Sequence, residues 1–329
     1  MLYLIGLGLG SFSDLTMKGF DILKKCDFVY LDNYTSIFSG ENVDELNMTG
    51  KCIIPADREF VEQSSEILDR AEKNDVAFLV IGDPLGATTH SDIILRAVER
   101  NIPYRIIHNA SVITAVGCCG LHLYNFGAIV SIPLWDELGH PESFYDKILT
   151  NIRNGFHTLC LLDIKVKERS LENILRDRKI YEPPRFMSCC EAISQVAEIL
   201  KKNEDQQNNR NMGITTSCIV ISLSRIGSND EKIVVSRIAD MNEAETDPKK
   251  SEQNFGGPPH SIIIPGIIHP LESEFLLARY RTNGENQLHL PRLYTNDSQM
   301  SDDTLNTFQN VINVHNQAVR SIQLCLNSL

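Results

Sequence analysis

Six consecutive apolar residues, Val76 to Ile81, end on Gly82-Asp83-Pro84, and a polar stretch follows Gly86. The run is too short and too β-branched to span a membrane and predicts a strand buried on both faces, with a loop at its carboxyl end. Open α/β sheets bind their ligands at that end. Gly82 and Gly86 allow close backbone approach, Pro84 sets the turn, and Asp83 brings one carboxylate to the loop. The same turn also closes ordinary βα units, so both readings stay open at this point.

The remaining pattern organises the chain around that strand. Apolar runs at Leu2–Leu7, Phe28–Leu31, Cys52–Ile54 and Tyr104–Ile107 alternate with helical spacing over Thr16–Lys25, capped by Thr16, and over Val61–Lys73. Such alternation predicts an α/β fold with a parallel, doubly wound N-terminal sheet over residues 1–110. A short helical pattern begins near Val112. Strands are then expected at Ile129–Ile132, Thr158–Leu162, Cys218–Leu223, Lys232–Arg237 and Ser261–Ile264, and helices at Ser143–Arg153 and Ser188–Lys202. The last strands follow one another without an intervening helix, so the C-terminal domain, residues 111–280, should hold a mixed sheet.

Two polar segments, Asn203–Asn211 and Asn242–Asn254, have the composition of exposed loops. Residues 281–329 read as a polar linker and a terminal helix, in which Leu305, Phe308, Val311, Ile312, His315, Val319, Ile322 and Leu326 fall near helical spacing. That helix either docks on its own body or offers a face to a partner.

A chain of 329 residues with 42% hydrophobic content suits two domains, and no apolar run reaches membrane-spanning length. The first residues form a strand rather than a secretory signal, which points to the cytoplasm. Nine cysteines include the adjacent pairs Cys118-Cys119 and Cys189-Cys190 but no C-x-x-C spacing, so buried thiols are expected and no metal. A net charge of −12 argues against broad binding to nucleic acid or to an anionic membrane. Locally, Lys165, Lys167, Arg169, Arg176, Arg178, Lys179 and Arg185 concentrate positive charge. They form either a contact for an acidic protein or a solvated face with interspersed carboxylates.

Gly6-Leu7-Gly8-Leu9-Gly10 after the first strand, with Asp32 about two dozen residues later, imitates a dinucleotide-binding loop. The third glycine of that fingerprint is missing, because Ser11 holds its place. Phe12-Ser13-Asp14 adds bulk and negative charge where a pyrophosphate would want an open helix terminus.

A set of ordered blocks narrows the choice: Met1–Gly10, Leu31–Ser36 (LDNYTS), Ala56–Glu59 (ADRE), Gly82–Asp92, His108–Ser111 (HNAS), Cys160–Glu168 (CLLDIKVKE), Tyr181–Arg185 (YEPPR) and Gly256–Ser261 (GGPPHS). Together they resemble the diphthine synthase family in its eukaryotic form, from Met1 to about Glu272. The resemblance implies a two-lobed, tetrapyrrole methylase-like fold and a methyltransferase that uses S-adenosyl-L-methionine and releases S-adenosyl-L-homocysteine. Carried over onto this sequence, the cofactor-binding residues would be Leu9, Asp83, Gly86, Ser111, Val112, Leu162, Leu223 and His260. The implied substrate is translation elongation factor 2, whose aminocarboxypropyl-histidine would receive three methyl groups on nitrogen and one on the carboxylate to give diphthine methyl ester. A homodimer is implied as well.

The residues are compatible with that chemistry. S-adenosylmethionine carries no phosphate, so its site needs oxygen acceptors and apolar walls rather than a basic cradle. Methyl transfer from sulfur needs no acid for the leaving thioether, and alignment and water exclusion can carry the reaction. No catalytic residue is therefore named; Tyr34, Thr35, Ser36 and His108 are candidates for the acceptor side. The sequence departs from the family at Gly10-Ser11-Phe12, where an acidic residue is usual after the glycine, and at Leu31-Asp32-Asn33, where Leu-Glu-Ala is usual. Alternatives are a related methylase acting on a tetrapyrrole or ribosomal RNA, and a non-catalytic binder of elongation factor 2.

Overall fold

The computed structural model describes residues 1–34, 50–136, 139–205, 214–243, 251, 254–282 and 302–326. They fall into two compact units. The first comprises Met1–Ala115, Ile164–Arg185 and Ile226–Asn229; the second comprises Val116–Asp163, Phe186–Arg225 and Asp230–Leu329.

In the first unit, β1 (Leu2–Gly6), β2 (Phe28–Asp32), β3 (Ile53–Ala56), β4 (Val76–Val80) and β5 (Tyr104–Ile107) form a parallel sheet in the order β3-β2-β4-β1-β5. Every residue of β4 is buried. Strand alternation puts Val76, Phe78 and Val80 into one apolar cluster and Ala77 and Leu79 into another, so the sheet is covered on both faces and alternating polarity gives way to an unbroken apolar run. Helix α1 (Met17–Leu23) starts at Thr16, whose side chain accepts from the Gly19 N–H at 3.1 Å. The expected single helix over Val61–Lys73 is instead two, α2 (Arg58–Gln63) and α3 (Glu66–Ala71). Ser64 between them has extended backbone with ψ 145°, a geometry no α-helix accommodates. Helix α4 (Ser91–Glu99) follows the β4 loop, and α5 (Val112–Ala115) is the short helix expected near Val112.

The second unit is built on β6 (Val130–Ile132), β7 (Thr158–Leu162), β10 (Ile219–Ser224), β11 (Lys232–Arg237) and β12 (His260–Ile264), in the order β11-β10-β12-β7-β6. Only β6 and β7 run parallel, so the sheet is mixed as expected, but the last strands do not follow one another directly: α9 (Ile238–Glu243) comes between β11 and β12. Two-residue strands β8 (Ile164–Lys165) and β9 (Arg185–Phe186), and α7 (Leu171–Leu175) between them, carry too little pattern to be read from sequence. Helices α6 (Ser143–Arg153) and α8 (Cys189–Asp205) cover the core. The polar segments Asn203–Asn211 and Asn242–Asn254 lie mostly outside the described residues, and the former begins inside α8, where Asn203 is buried.

The terminal helix, Asp302–Leu326, docks on its own body. Phe308, Ile312, His315 and Val319 are buried, and Val319 joins the core of the second unit. No helix among the described residues is long and apolar enough to cross a membrane.

Candidate active site

At the carboxyl ends of β1 and β4 the two glycine loops are stitched together. Gly82 N–H donates to the Gly8 carbonyl at 2.7 Å and Gly8 N–H to the Gly82 carbonyl at 3.3 Å. Gly82 sits at φ +83°, a conformation that only glycine adopts cheaply. Further along the loop, Ala87 holds φ +61° and Thr88 Oγ1 donates to the Pro84 carbonyl at 2.9 Å, so the loop keeps a strained turn rather than relaxing.

Asp83 organises this loop. Its Oδ1 accepts from the Leu85 N–H at 2.9 Å, and its Oδ2 accepts from the Asn109 N–H at 3.1 Å and lies 2.8 Å from His108 Nδ1. Burial alone would raise its pKa, but these hydrogen bonds outweigh burial and hold the carboxyl below its ordinary value. Asn109 is the organiser that sequence reasoning missed. Its Nδ2 donates to the Gly6 and Asp14 carbonyls at 3.0 and 3.1 Å, which ties the β5 loop to the β1 loop.

Ser111 is buried and its Oγ accepts from the Ile113 N–H at 3.3 Å, starting α5. It packs against Gly86 so closely that a Cβ there would lie 2.5 Å from Ser111 Oγ. Thus Leu9, Asp83, Gly86, Ser111 and Val112 all belong to the first unit and lie on loops or a helix that follow three of its strands. Of the acceptor-side candidates, Tyr34 and His108 are in this unit, while Thr35 and Ser36 lie outside the described residues.

Around Gly10 the structure disposes of the pyrophosphate reading. The Gly10 and Ser11 amides, which a phosphate would need, donate to Asp14 Oδ2 at 2.7 and 3.2 Å. A carboxylate already occupies the anion position, so a second anion would be repelled.

In the second unit, Leu162 ends β7, Leu223 is in β10 and His260 opens β12. The register pairs Ser261 with both Leu223 and Leu161, and Ser224 with His260, so the three residues share one end of three adjacent strands. Leu162 and Leu223 are buried, as apolar strand residues usually are. The His260 Nε2–H donates to the Gly256 carbonyl at 3.0 Å, while Nδ1 is buried without a hydrogen-bond partner. Burial, assisted by the positive charge of Arg225, lowers its pKa to about 4. His260 is therefore neutral at physiological pH and presents a bare lone pair at Nδ1. The Gly-Gly-Pro-Pro turn before it, with Pro258-Pro259 in cis, is held by Ser224 Oγ on the Gly257 carbonyl and by Arg225 Nε on the Pro258 carbonyl at 2.9 Å. That contact links two sequence blocks more than thirty residues apart.

The basic stretch in the first unit meets carboxylates of its own chain. Lys165 pairs with Glu168 at 2.6 Å, Lys167 with Asp57, Arg169 with Asp177 at 3.4 Å and Arg176 with Glu172 at 2.9 Å. These pairs match the solvated-face reading of that stretch.

Residues 1–242 match the model of the tetrapyrrole (corrin/porphyrin) methylases. The diphthine methyl ester synthase of Bos taurus is 51% identical over 283 residues, covering 84% of this chain and 94% of that one. The Homo sapiens protein of the same name is 49% identical over 282 residues, with the same coverage. A crystal structure from Entamoeba histolytica, described as a diphthine synthase, superposes with a TM-score of 0.70 at 37% identity, over 84% of this chain and 96% of the other. The chain belongs to the tetrapyrrole methylase family and is a methyltransferase, in the group that the diphthine methyl ester synthases form.

Proposed function

We propose that this methyltransferase uses S-adenosyl-L-methionine to methylate the aminocarboxypropyl-histidine of translation elongation factor 2, three times on nitrogen and once on the carboxylate, giving diphthine methyl ester in diphthamide biosynthesis. The observation that carries the reading is the similarity to diphthine methyl ester synthases at 45–51% identity across most of the chain. We also assign the protein to the cytoplasm and to a homodimer, following the same resemblance.

The donor set fits a nucleoside without phosphate. Asp14 closes the amides of the first loop to an anion, Asp83 offers carboxylate oxygens, and His260 Nδ1 offers a buried lone pair that lacks a donor. When bound, the cofactor supplies a methyl group on a sulfonium centre. We assign its binding to Leu9, Asp83, Gly86, Ser111 and Val112 of the first unit and to Leu162, Leu223 and His260 of the second. Asp83 and His260 take the hydrogen-bond donors, Ser111 fixes the position of the Gly86 loop, and the four apolar residues exclude water.

The test is incubation of the purified chain with radiolabelled S-adenosylmethionine and elongation factor 2 bearing the unmethylated intermediate, followed by mass analysis of the modified-histidine peptide. Label on that peptide is expected, part of it released by mild base as the ester. Intact cofactor binding with no transfer would overturn the reading.

A further inference from the structure

The first unit contains a cavity of about 300 Å³ lined from the segments that follow β2 and β4 and from α2 and α4. Tyr34, Glu62, Thr89, His90 and Asp92 give it a polar lining, and Val61 and Ile93 an apolar one. Two carboxylates and no lysine or arginine are among these residues. Glu62 and Asp92 each commit one oxygen to an i,i+4 partner, Arg58 at 2.8 Å and Arg96 at 2.9 Å. Such exposed pairs only partly cancel the negative charge.

His90 is the second, independent feature. Its side chain is fully buried, with Nδ1 3.3 Å from the Pro84 carbonyl. Nε2 is 3.4 Å from Asp32 Oδ2 but lacks the alignment of a hydrogen bond and has no other partner. The ring stands edge-on to Phe78 and to Tyr34, with centroids 5.1 and 6.0 Å away. Asp32 is itself buried, and its Oδ1 accepts from the Tyr34 N–H at 3.0 Å. One buried carboxylate thus lies against both the backbone of Tyr34 and the ring of His90, while Pro84 connects His90 to the Asp83 loop.

An aromatic ring beside two carboxylates, each with one oxygen outside its arginine pair and with no lysine or arginine among the lining residues, is the chemistry that recognises a small organic cation. We infer that this cavity is an acceptor-side subsite that takes the ammonium-bearing end of the acceptor side chain, with Glu62 and Asp92 as counter-charges and Tyr34 as the aromatic wall. Asp32 and His90 are positioning residues. The inference rests on the methyltransferase reading above: an amine acceptor is an ammonium before the first transfer and a quaternary ammonium after the last. The subsite binds these charged forms, and no transfer step is assigned to it.

The test uses the full chain and tetramethylammonium chloride against sodium chloride at matched ionic strength, read from the Tyr34 and His90 ring signals by NMR. Saturable shifts are expected in the wild type. Glu62→Gln with Asp92→Asn should weaken that binding, and raise KM for elongation factor 2 in the label-transfer assay, by about fivefold each, with cofactor affinity unchanged. Both side chains are substantially exposed, so the double variant should fold, which circular dichroism checks. Tyr34→Leu should weaken tetramethylammonium binding similarly. No saturable shift in the wild type, or variants with unaltered cation affinity and unaltered acceptor KM, would overturn the subsite. If the wild type transfers no label at all, the proposed function fails, and the cation titration still decides the cavity by itself.

Discussion

Ser111 fills the space that a side chain on Gly86 would need: a Cβ there would stand 2.5 Å from Ser111 Oγ and 2.8 Å from Ser111 Cβ. Gly86→Ala must push a buried serine, and the start of α5 with it. The expected cost is about 1–3 kcal/mol of stability, as for other overpacked sites. Gly86→Ala combined with Ser111→Gly removes the collision and should recover part of that loss in urea denaturation. Additive losses in the double variant would show that the two residues do not press on each other.

Asp83 accepts from Leu85 and Asn109 and faces His108, so its removal leaves loop donors without an acceptor. Asp83→Ala is expected to weaken cofactor binding by about 1–3 kcal/mol in calorimetry. Because the folded carboxyl lies below its ordinary value, its contribution to stability is present above the unfolded pKa and is lost as pH falls through the folded one. Wild type and variant should therefore converge in stability in acid.

Glu272 lies on the helix Pro270–Thr282 of the second unit and is fully buried. It accepts from the His122 and His269 N–H groups at 2.8 and 2.7 Å, and from Asn125 Nδ2 at 3.1 Å. The His157 Nδ1 accepts from the Gly266 N–H, so the His157 Nε2–H donates to Glu272 at 3.2 Å. Burial opposes ionisation, but these donors win and lower the pKa from 4.5 to about 2. The stabilisation, about 3 kcal/mol, should be complete above pH 4.5 and fade as pH falls toward 2. Glu272→Gln turns an amide against a donor, so it should destabilise more at pH 7 than at pH 3, where only part of the ionised carboxyl's contribution remains, as denaturant titrations at the two pH values would show.

His315 on the terminal helix bridges two chain segments. Its Nδ1 accepts from the Ile219 N–H at 3.2 Å and its Nε2–H donates to the Gly266 carbonyl at 2.9 Å. Burial lowers its pKa from 6.5 to about 4, so folding requires the neutral ring. Its contribution is full above pH 6.5 and is lost as pH drops toward 4. His315→Leu leaves both backbone groups unpaired and should cost about 2–4 kcal/mol at pH 7. The variant should also lose less stability than the wild type between pH 7 and 5.

The sheets were legible because burial writes itself into short apolar runs. Leu2, Phe28, Val76 and Tyr104 open strands where the sequence pattern places them, and the antiparallel pairing of β10 with β11 follows from the absence of a helix between them, whereas a helix, Ile238–Glu243, separates β11 from β12, which pair with opposite edges of β10. The break at Ser64 was not legible, since apolar spacing continues across it and only the backbone angle of one residue divides the two helices. At the site, Asp83 and the glycines stood out by type. Asn109 did not, because an asparagine in a loop looks like any other until its amide is seen to bridge Gly6 and Asp14.

Sequence alone determined the classes of element, the family and the residue types at the loop ends, all of which depend on local pattern or on ordered blocks. Tertiary structure decided what those residues do to one another: that Asp14 occupies the anion position beside Gly10, that Ser224 and Arg225 hold the turn before His260, and that Asp32, two strands from β1 in the sheet, lies against His90. The physical reason is that hydrogen bonds and ion pairs act over a few ångströms, and residues 58 or 95 positions apart come within that range only once the sheet is closed.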